Sequence, residues 1–359
     1  MRILYLIVFI GTWNLVFAQQ IEQRILFIGD AGEINPMQKS LLVDAAGLVI
    51  AGKTQVFFLG DNIYPVGMGL EEEKAQLTAS ILQSQYSGFI ERDVPVSFLA
   101  GNHDWDKSGS LGLRKVIAQA NFLKSQHNSL LNFVPEAGTA GPVVKKFSDR
   151  VTAVLYDSEY WLFPHHANPD SALEGEVRKQ FFADIATAIR ENEGNAILFI
   201  SHHPLRSYGE HGLTFSWRDH LFPLTRIWKP AYLPLPGVGS IFPLVRSTVL
   251  NSAEDLKHPV YKRFIRDMRQ AVGTHKNIVF VSGHDHGLQW IVDQNFRQIV
   301  SGSGAKSSII QPSKALKYQH NQQGFCVLDC MDDGSLDLSF YIEDKGRTTK
   351  AFQQIIYPN

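Results

Sequence analysis

Short apolar runs alternate with polar turns through the first third of the chain. Residues 24–28 run into Gly29-Asp30-Ala31-Gly32, residues 55–59 into Gly60-Asp61-Asn62, and residues 94–100 into Gly101-Asn102-His103-Asp104. After each turn comes a longer stretch of helical character, over 36–51, 71–85 and 111–124. Alternation of strand and helix predicts parallel β-α-β units. In such sheets the chemistry gathers in the loops beyond the carboxyl ends of the strands, where all three polar turns fall.

The pattern returns twice. A helix predicted over 173–191 precedes the apolar run 196–200, which ends in Ser201-His202-His203-Pro204. Another over 255–272 precedes 277–281, which ends in Gly283-His284-Asp285-His286. From 288 to 357 apolar runs and turns follow one another without helices, which predicts an antiparallel region. An insertion separates the last two histidine motifs. Its middle, 221–245, is rich in Pro, Phe and Trp and has no clear period. The expectation is a packed lid or rim over about 212–255.

Residues 1–18 read differently. Arg2 precedes an apolar run, and Val16-Phe17-Ala18 supplies small residues at −3 and −1 before Gln19. This predicts a secretory signal, export to the periplasm or medium, and a mature single domain over 19–359 that is free of the membrane.

The 359 residues are 44% hydrophobic and 19% charged, an ordinary globular composition. Lys and Arg number 34 against 35 Asp and Glu. That balance leaves no basic field for a nucleic-acid backbone, so an anionic substrate must be drawn by a local site. The two cysteines, Cys326 and Cys330, sit in one strand-like segment. Four residues of strand separate them by about 13 Å, too far for a disulfide, which needs under ~7 Å.

Five strand ends thus deliver Asp30; Asp61; Asn102, His103 and Asp104; His202; and His284 with His286. Singly, each is ordinary turn or cap chemistry. Jointly, five polar clusters at five successive strand ends predict a metal centre. Two cations about 3.5–4 Å apart need a shared anion to offset their repulsion, and Asp61 is the candidate bridge. Imidazole and amide ligands fill the remaining positions without excess negative charge. A mixed N and O set suits Fe, Zn or Mn better than Ca.

The series GDAG, GDN, GNHD, SHHP, GHDH resembles the calcineurin-like metallophosphoesterases over essentially the whole mature chain. Many members of that superfamily carry Asp-x-His in the first motif, whereas here Gly32 stands two residues after Asp30. The purple acid phosphatases share that glycine and recruit a tyrosine from the second motif, where Tyr64 stands three residues after Asp61. Glu210-His211-Gly212, nine residues beyond His202, and the run from Gly283 to Trp290 are similar to the small, tartrate-resistant members. The chain departs from them in its long insertion and in His203, where a tyrosine is common.

The resemblance implies an α/β fold in which two mixed sheets form a sandwich flanked by helices, four layers in the order α/β/β/α. It implies a first metal, Fe(III), on Asp30, Tyr64, His286 and Asp61, and a second, Fe(II), Zn or Mn, on Asp61, Asn102, His202 and His284. The implied activity is hydrolysis of small phosphate monoesters by a water activated between the cations. His103 and His211 are candidate proton donors to the leaving oxygen, with Asp104 or Glu210 to keep one of them charged. The sequence leaves the choice between the two histidines open, and His203 has equal claims to touching phosphate and to packing. His165, His166, His220, His258 and Lys306 have no motif context and are expected to be structural or solvated. Two other readings fit the same residues: a phosphodiesterase or nucleotide pyrophosphatase, and a binding module without catalysis.

Overall fold

A computed structural model describes residues 19–165, 171–212 and 253–357. The predicted signal (1–18) and most of the predicted lid, 213–252, lie outside the described residues.

The first half builds the expected β-α-β series. Strand β1 (Ile21–Ile28) leads to helix α1 (Pro36–Gly47), β2 (Thr54–Phe58) to α2 (Glu72–Ile90), and β3 (Val96–Phe98) to α3 (Gly112–Ser125) and β4 (Leu131–Phe133). Helix α1 starts where its chemistry dictates. The Asn35 Oδ1 accepts from the Gln38 N–H at 2.8 Å, and Pro36 takes the first turn. Helix α2 runs a turn beyond the expected 71–85, because Tyr86 and Phe89 continue its buried face.

The chain then forms β5 (Val143–Lys146), β6 (Val151–Leu155), α4 (Ser171–Glu191), β7 (Ala196–Ile200), α5 (Pro259–Val272) and β8 (Ile278–Ser282). The tail adds β9 (Leu288–Asp293), β10 (Phe296–Ser301), β11 (Leu316–His320), β12 (Gly324–Met331), β13 (Leu336–Asp344) and β14 (Arg347–Tyr357).

Two seven-stranded sheets result, in the orders β14-β13-β12-β1-β2-β3-β4 and β11-β9-β10-β8-β7-β6-β5. Both are mixed. The β1 to β4 block and the β6, β7, β8, β10 block are parallel, and the flanking strands are antiparallel. The tail is antiparallel as predicted, but it divides, giving three strands to each sheet. Phe27, Phe57, Leu155, Leu198, Trp290 and Leu328 meet between the sheets in one core. Helices α1 and α2 cover the outer face of the first sheet, and α4 and α5 that of the second. This is the four-layer α/β/β/α sandwich. Cys326 and Cys330 are free, buried thiols on β12, as the strand spacing requires. Among the described residues no helix is long and apolar enough to cross a membrane.

Register brings the motif loops together. Ile28 pairs with Phe58 and Phe58 with Phe98, so the first three polar turns leave the first sheet side by side. In the second sheet Ile200 pairs with Val281, aligning the two histidine motifs. The two edges are stitched by the Gly29 N–H, which donates to the Ser301 carbonyl at 2.8 Å.

Candidate metal centre

Three ligand candidates leave their strands through left-handed backbone: Asp30, Asp61 and His284 have φ of 57°, 53° and 71°. Such values are uncommon outside glycine and cluster at sites where side-chain direction matters. The glycines permit close approach. A Cβ on Gly32 would lie 2.5 Å from the Ile63 nitrogen and 2.6 Å from the Asp61 carbonyl oxygen. The first motif therefore has no room for a ligating side chain at 32. The backbone there instead laces the first two motifs, with the Gly32 N–H donating to Asp61 and the Tyr64 N–H to Gly32.

Tyr64 comes instead from the second motif. Its hydroxyl lies 3.0 Å from Asp30 Oδ1, 3.0 Å from Asp61 Oδ2 and 3.2 Å from His286 Nε2. His286 Nε2 is also 3.5 Å from Asp30 Oδ1. One hydroxyl proton cannot serve two carboxylates and an imidazole. Three ligand atoms 3.0–3.2 Å from the phenol oxygen, all within 4.8 Å of one another, do suit a cation held at roughly 2.0–2.2 Å from each.

A second cluster shares Asp61. Its Oδ1 is 3.4 Å from His202 Nε2. His202 Nδ1–H donates to the Leu59 carbonyl at 2.8 Å, and His284 Nε2–H to the Glu254 carbonyl at 2.9 Å. Carbonyls only accept, so each histidine is fixed with its other nitrogen as a lone pair. Those lone pairs, His202 Nε2 and His284 Nδ1, face one another at 3.2 Å. Asn102 Oδ1 stands 3.0 and 3.1 Å from them. Convergent acceptors with no donor between them repel unless a cation binds, so the residues fit a metal at each cluster. Asp61 gives one oxygen to each.

Electrostatics agrees with the geometry. Burial raises the Asp61 carboxyl, but the positive charge that His202 and His103 bring when protonated, with the His103 N–H, outweighs it and holds it below the usual carboxylate range. Burial, reinforced by neighbouring imidazoles, keeps His284 well below its ordinary value and thus neutral. Burial and the charges of Asp30 and Asp61 hold the Tyr64 phenol well above its ordinary value. Proton loss there requires a strongly charged cation.

The two candidate acids differ. His103 donates its Nδ1–H to the Pro65 carbonyl at 2.6 Å, leaving Nε2 facing Asp61 Oδ2 at 3.8 Å. Burial lowers it, against the pull of Asp61. His211 stacks on His284 with ring centres 4.1 Å apart, its Nδ1 3.3 Å from Asp255 Oδ1. Burial lowers it, but the Asp255 hydrogen bond and the charges of Asp285 and Asp255 push it up to about 9. Its supporting carboxylate is therefore Asp255 rather than Glu210 or Asp104. Asp255 sits at the edge of the long insertion, outside every motif, and no sequence signal marks it.

Asp104 is a correction to the expected catalytic set. It is buried beneath the loops and accepts from the Gly101 N–H at 2.8 Å, the Asn62 N–H at 3.1 Å and Asn62 Nδ2 at 3.0 Å. Burial, with the charge of Asp61, lifts its carboxyl well above the usual range against those donors. It braces two motifs. Asp104→Ala should destabilise the metal-free protein by on the order of 3 kcal/mol, because buried N–H groups lose their acceptor, as read from urea midpoints. An unchanged midpoint with lost turnover would return Asp104 to the chemistry.

His203 also turns inward. Its Nδ1 is 2.9 Å from Ser158 Oγ and its Nε2 3.6 Å from Glu159 Oε2, both partners being buried. Its ring also lies beside the second cluster, 4.3 Å from that of His284 between centres. Lys306, expected to be structural or solvated, instead lies over the ring of Tyr64.

A pH effect follows for the metal-free protein. The folded-state value of His211 lies above the ordinary 6.5. Its ion pair therefore stabilises the fold fully below about 6.5, and that stabilisation is lost as pH rises through about 9. NMR titration of the His211 ring should show the high midpoint, and Asp255→Asn should bring it down.

The profile of the family described as Calcineurin-like phosphoesterase matches residues 23–230. That match holds the first four motifs and stops short of His284 and His286, which the fold itself supplies. The chain is 22% identical over 325 residues to purple acid phosphatase 17 of Arabidopsis thaliana, covering 84% of this chain and 75% of that protein. It is 23% identical over 266 residues to tartrate-resistant acid phosphatase type 5 of Sus scrofa, covering 73% of this chain and 61% of the relative. Two solved structures share the fold. GAP50, described as the anchor in the inner membrane complex of Plasmodium, superposes with a TM-score of 0.56 at 13% identity, covering 94% of this chain and 89% of that one. Purple acid phosphatase PPD1 from yellow lupin (Lupinus luteus) seeds gives 0.52 at 15% identity, covering 92% and 53%. With a profile matched across more than half its length, the chain belongs to the calcineurin-like phosphoesterases, as a metal-dependent phosphoester hydrolase akin to the purple acid phosphatases.

Proposed function

We propose that this protein is an exported acid phosphatase that hydrolyses small phosphate monoesters at a two-metal site, with Fe(III) at the Tyr64 cluster and Fe(II), Zn or Mn at the His202–His284 cluster. The observation that carries the reading is the placement of Tyr64. Its oxygen meets Asp30, Asp61 and His286 at 3.0–3.2 Å, while Gly32, closed in by the backbone of Asp61 to Ile63, offers no side chain to that cluster. A hard phenolate oxygen favours ferric iron.

Two cations, held by Asp30, Asp61, Tyr64 and His286 and by Asp61, Asn102, His202 and His284, would supply Lewis acidity to phosphoryl oxygens and acidify a water. The chain supplies the remainder. Asp61 stays ionised and ties the two clusters into one unit. His202 and His284, each with one ring nitrogen held by a backbone carbonyl, would turn the other toward the second cation. His211 stays protonated through Asp255 and donates its proton to the departing alcohol oxygen. His103, with Nδ1 committed to Pro65, has Nε2 left to accept a hydrogen bond from the attacking water.

The mature chain, in this proposal, begins at Gln19 and forms one domain. Amino-terminal sequencing of exported protein tests the first point. A diesterase would use the same residues, so substrate preference must be read from turnover. A binding module would have no need of two converging acceptor clusters.

The experiment is a visible spectrum of purified protein beside turnover of p-nitrophenyl phosphate and bis-p-nitrophenyl phosphate from acid to neutral pH. The reading predicts a purple or pink band, abolished by Tyr64→Phe with the fold intact, and faster acid-side turnover of the monoester. A colourless iron-free protein that prefers the diester would overturn it.

A further inference from the structure

Lys306 follows β10 in the loop Gly302-Ser303-Gly304-Ala305-Lys306. Its ammonium nitrogen lies 3.8 Å from the centre of the Tyr64 ring. That position is built in by the backbone on both sides. The Gly304 N–H donates to the Gly29 carbonyl and the Ala305 N–H to the Asp30 carbonyl, each at 2.9 Å. Two residues beyond, the Ser308 N–H donates to the His286 carbonyl at 2.7 Å. The lysine is thus bracketed by hydrogen bonds to the backbones of Asp30 and His286, two neighbours of the Tyr64 oxygen. The Ala305 carbonyl also receives Asn35 Nδ2 at 2.9 Å and Gln323 Nε2 at 2.7 Å. On the solvent side Glu33 stands 3.4 Å from the ammonium, more than half exposed. So open a pair adds little energy, but it limits the swing of the lysine stem. His103 meets the same ring edge-on, centres 4.4 Å apart.

A cation over an aromatic face is attracted to its electron density, and more so where water is partly excluded. We propose that Lys306 is a positioning residue for the first metal site. Its ammonium holds the Tyr64 ring in the coordinating pose and draws electron density from the Tyr64 oxygen, so that it tunes the bond this oxygen makes to a metal. The inference rests on the reading of Tyr64 as a ligand of ferric iron. The ammonium rests on the ring itself, whereas the Asp30–Asp61–His286 cluster lies beyond the hydroxyl. It therefore lowers the electron-donating level of the tyrosine more than it lowers the accepting level of the metal.

The test compares wild type, Lys306→Met and Lys306→Arg as full mature proteins, loaded separately with ferric iron and with zinc. Methionine keeps the stem and removes the charge. The expected result in ferric protein is a charge-transfer band at longer wavelength in Lys306→Met. First-site metal should also be held roughly tenfold more weakly in chelator competition, the equivalent of ~1.4 kcal/mol. Lys306→Arg should restore both. An unmoved band with unchanged retention in Lys306→Met would overturn the inference.

A wild type that stays colourless with ferric iron would sink the iron reading separately. The zinc series then decides the role of Lys306. Zinc should raise the ultraviolet difference band of tyrosinate in wild type, and raise it less in Lys306→Met. Equal bands, or no band in wild type, would overturn the proposal.

Discussion

Asp61→Asn should cost the protein its second metal and lower kcat by roughly 10³-fold or more. The substitution changes one atom in a carboxylate that serves two clusters. Asp61 Oδ2 sits 3.0 Å from the Tyr64 hydroxyl, and Oδ1 sits 3.4 Å from His202 Nε2. An amide keeps the shape but offers one oxygen and no charge. Two cations about 3.5–4 Å apart then lose the anion that offsets their repulsion. The two-metal contribution is worth several kcal/mol, and each ~1.4 kcal/mol is a factor of ten in rate. The metal-free fold should survive, since the substitution removes a buried charge. Metal analysis and kcat on one preparation check this. Two metals per chain with undiminished turnover would remove Asp61 from the bridging position.

His211→Ala should slow hydrolysis of an alkyl phosphate by ~10²–10⁴-fold, the usual worth of a positioned proton donor. The same variant should lose far less on p-nitrophenyl phosphate, whose leaving group needs no proton. The contrast between substrates separates proton donation from simple damage to the neighbouring His284, which would slow both alike. Asp255→Asn should act in the same direction. The Asp255 hydrogen bond and charge raise His211, so their removal lowers it and the protonated form is lost at lower pH. The alkaline limb of the alkyl phosphate profile should move to more acid pH. If His103→Ala shows the leaving-group contrast and His211→Ala does not, the acid has been assigned to the wrong histidine.

Strands β1, β2, β3, β7 and β8 were legible in the sequence because each is an apolar run that ends in a polar motif. The strand spacing of Cys326 and Cys330 was legible too. Strands β4, β5 and β6 had no place in the sequence-based expectation. β4 is only three residues long, and the exposed β5 carries two lysines. β6, buried throughout, is a brief apolar run with no motif behind it. The pattern also gave the tail as one antiparallel region. Its division between the sheets depends on long-range partners, such as β12 with β1 and β10 with β8, that no local period encodes.

All seven expected metal ligands converge, because their positions follow from strand ends and register. Their supporting groups were less legible. Asp255 meets His211 across 44 residues of chain, and Lys306 reaches Tyr64 from the far side of the sequence. Asp104, adjacent to His103, points into the protein to hold the Asn62 and Gly101 loops. Adjacency in sequence did not place it beside the histidine it was expected to support.

The most direct test is metal add-back. Protein stripped of metal is titrated with metal while phosphate-ester turnover is followed against equivalents added. Negligible turnover is expected in the first equivalent, with a rise that completes at two per chain. Full turnover at one equivalent, or turnover independent of metal, would contradict a two-metal site.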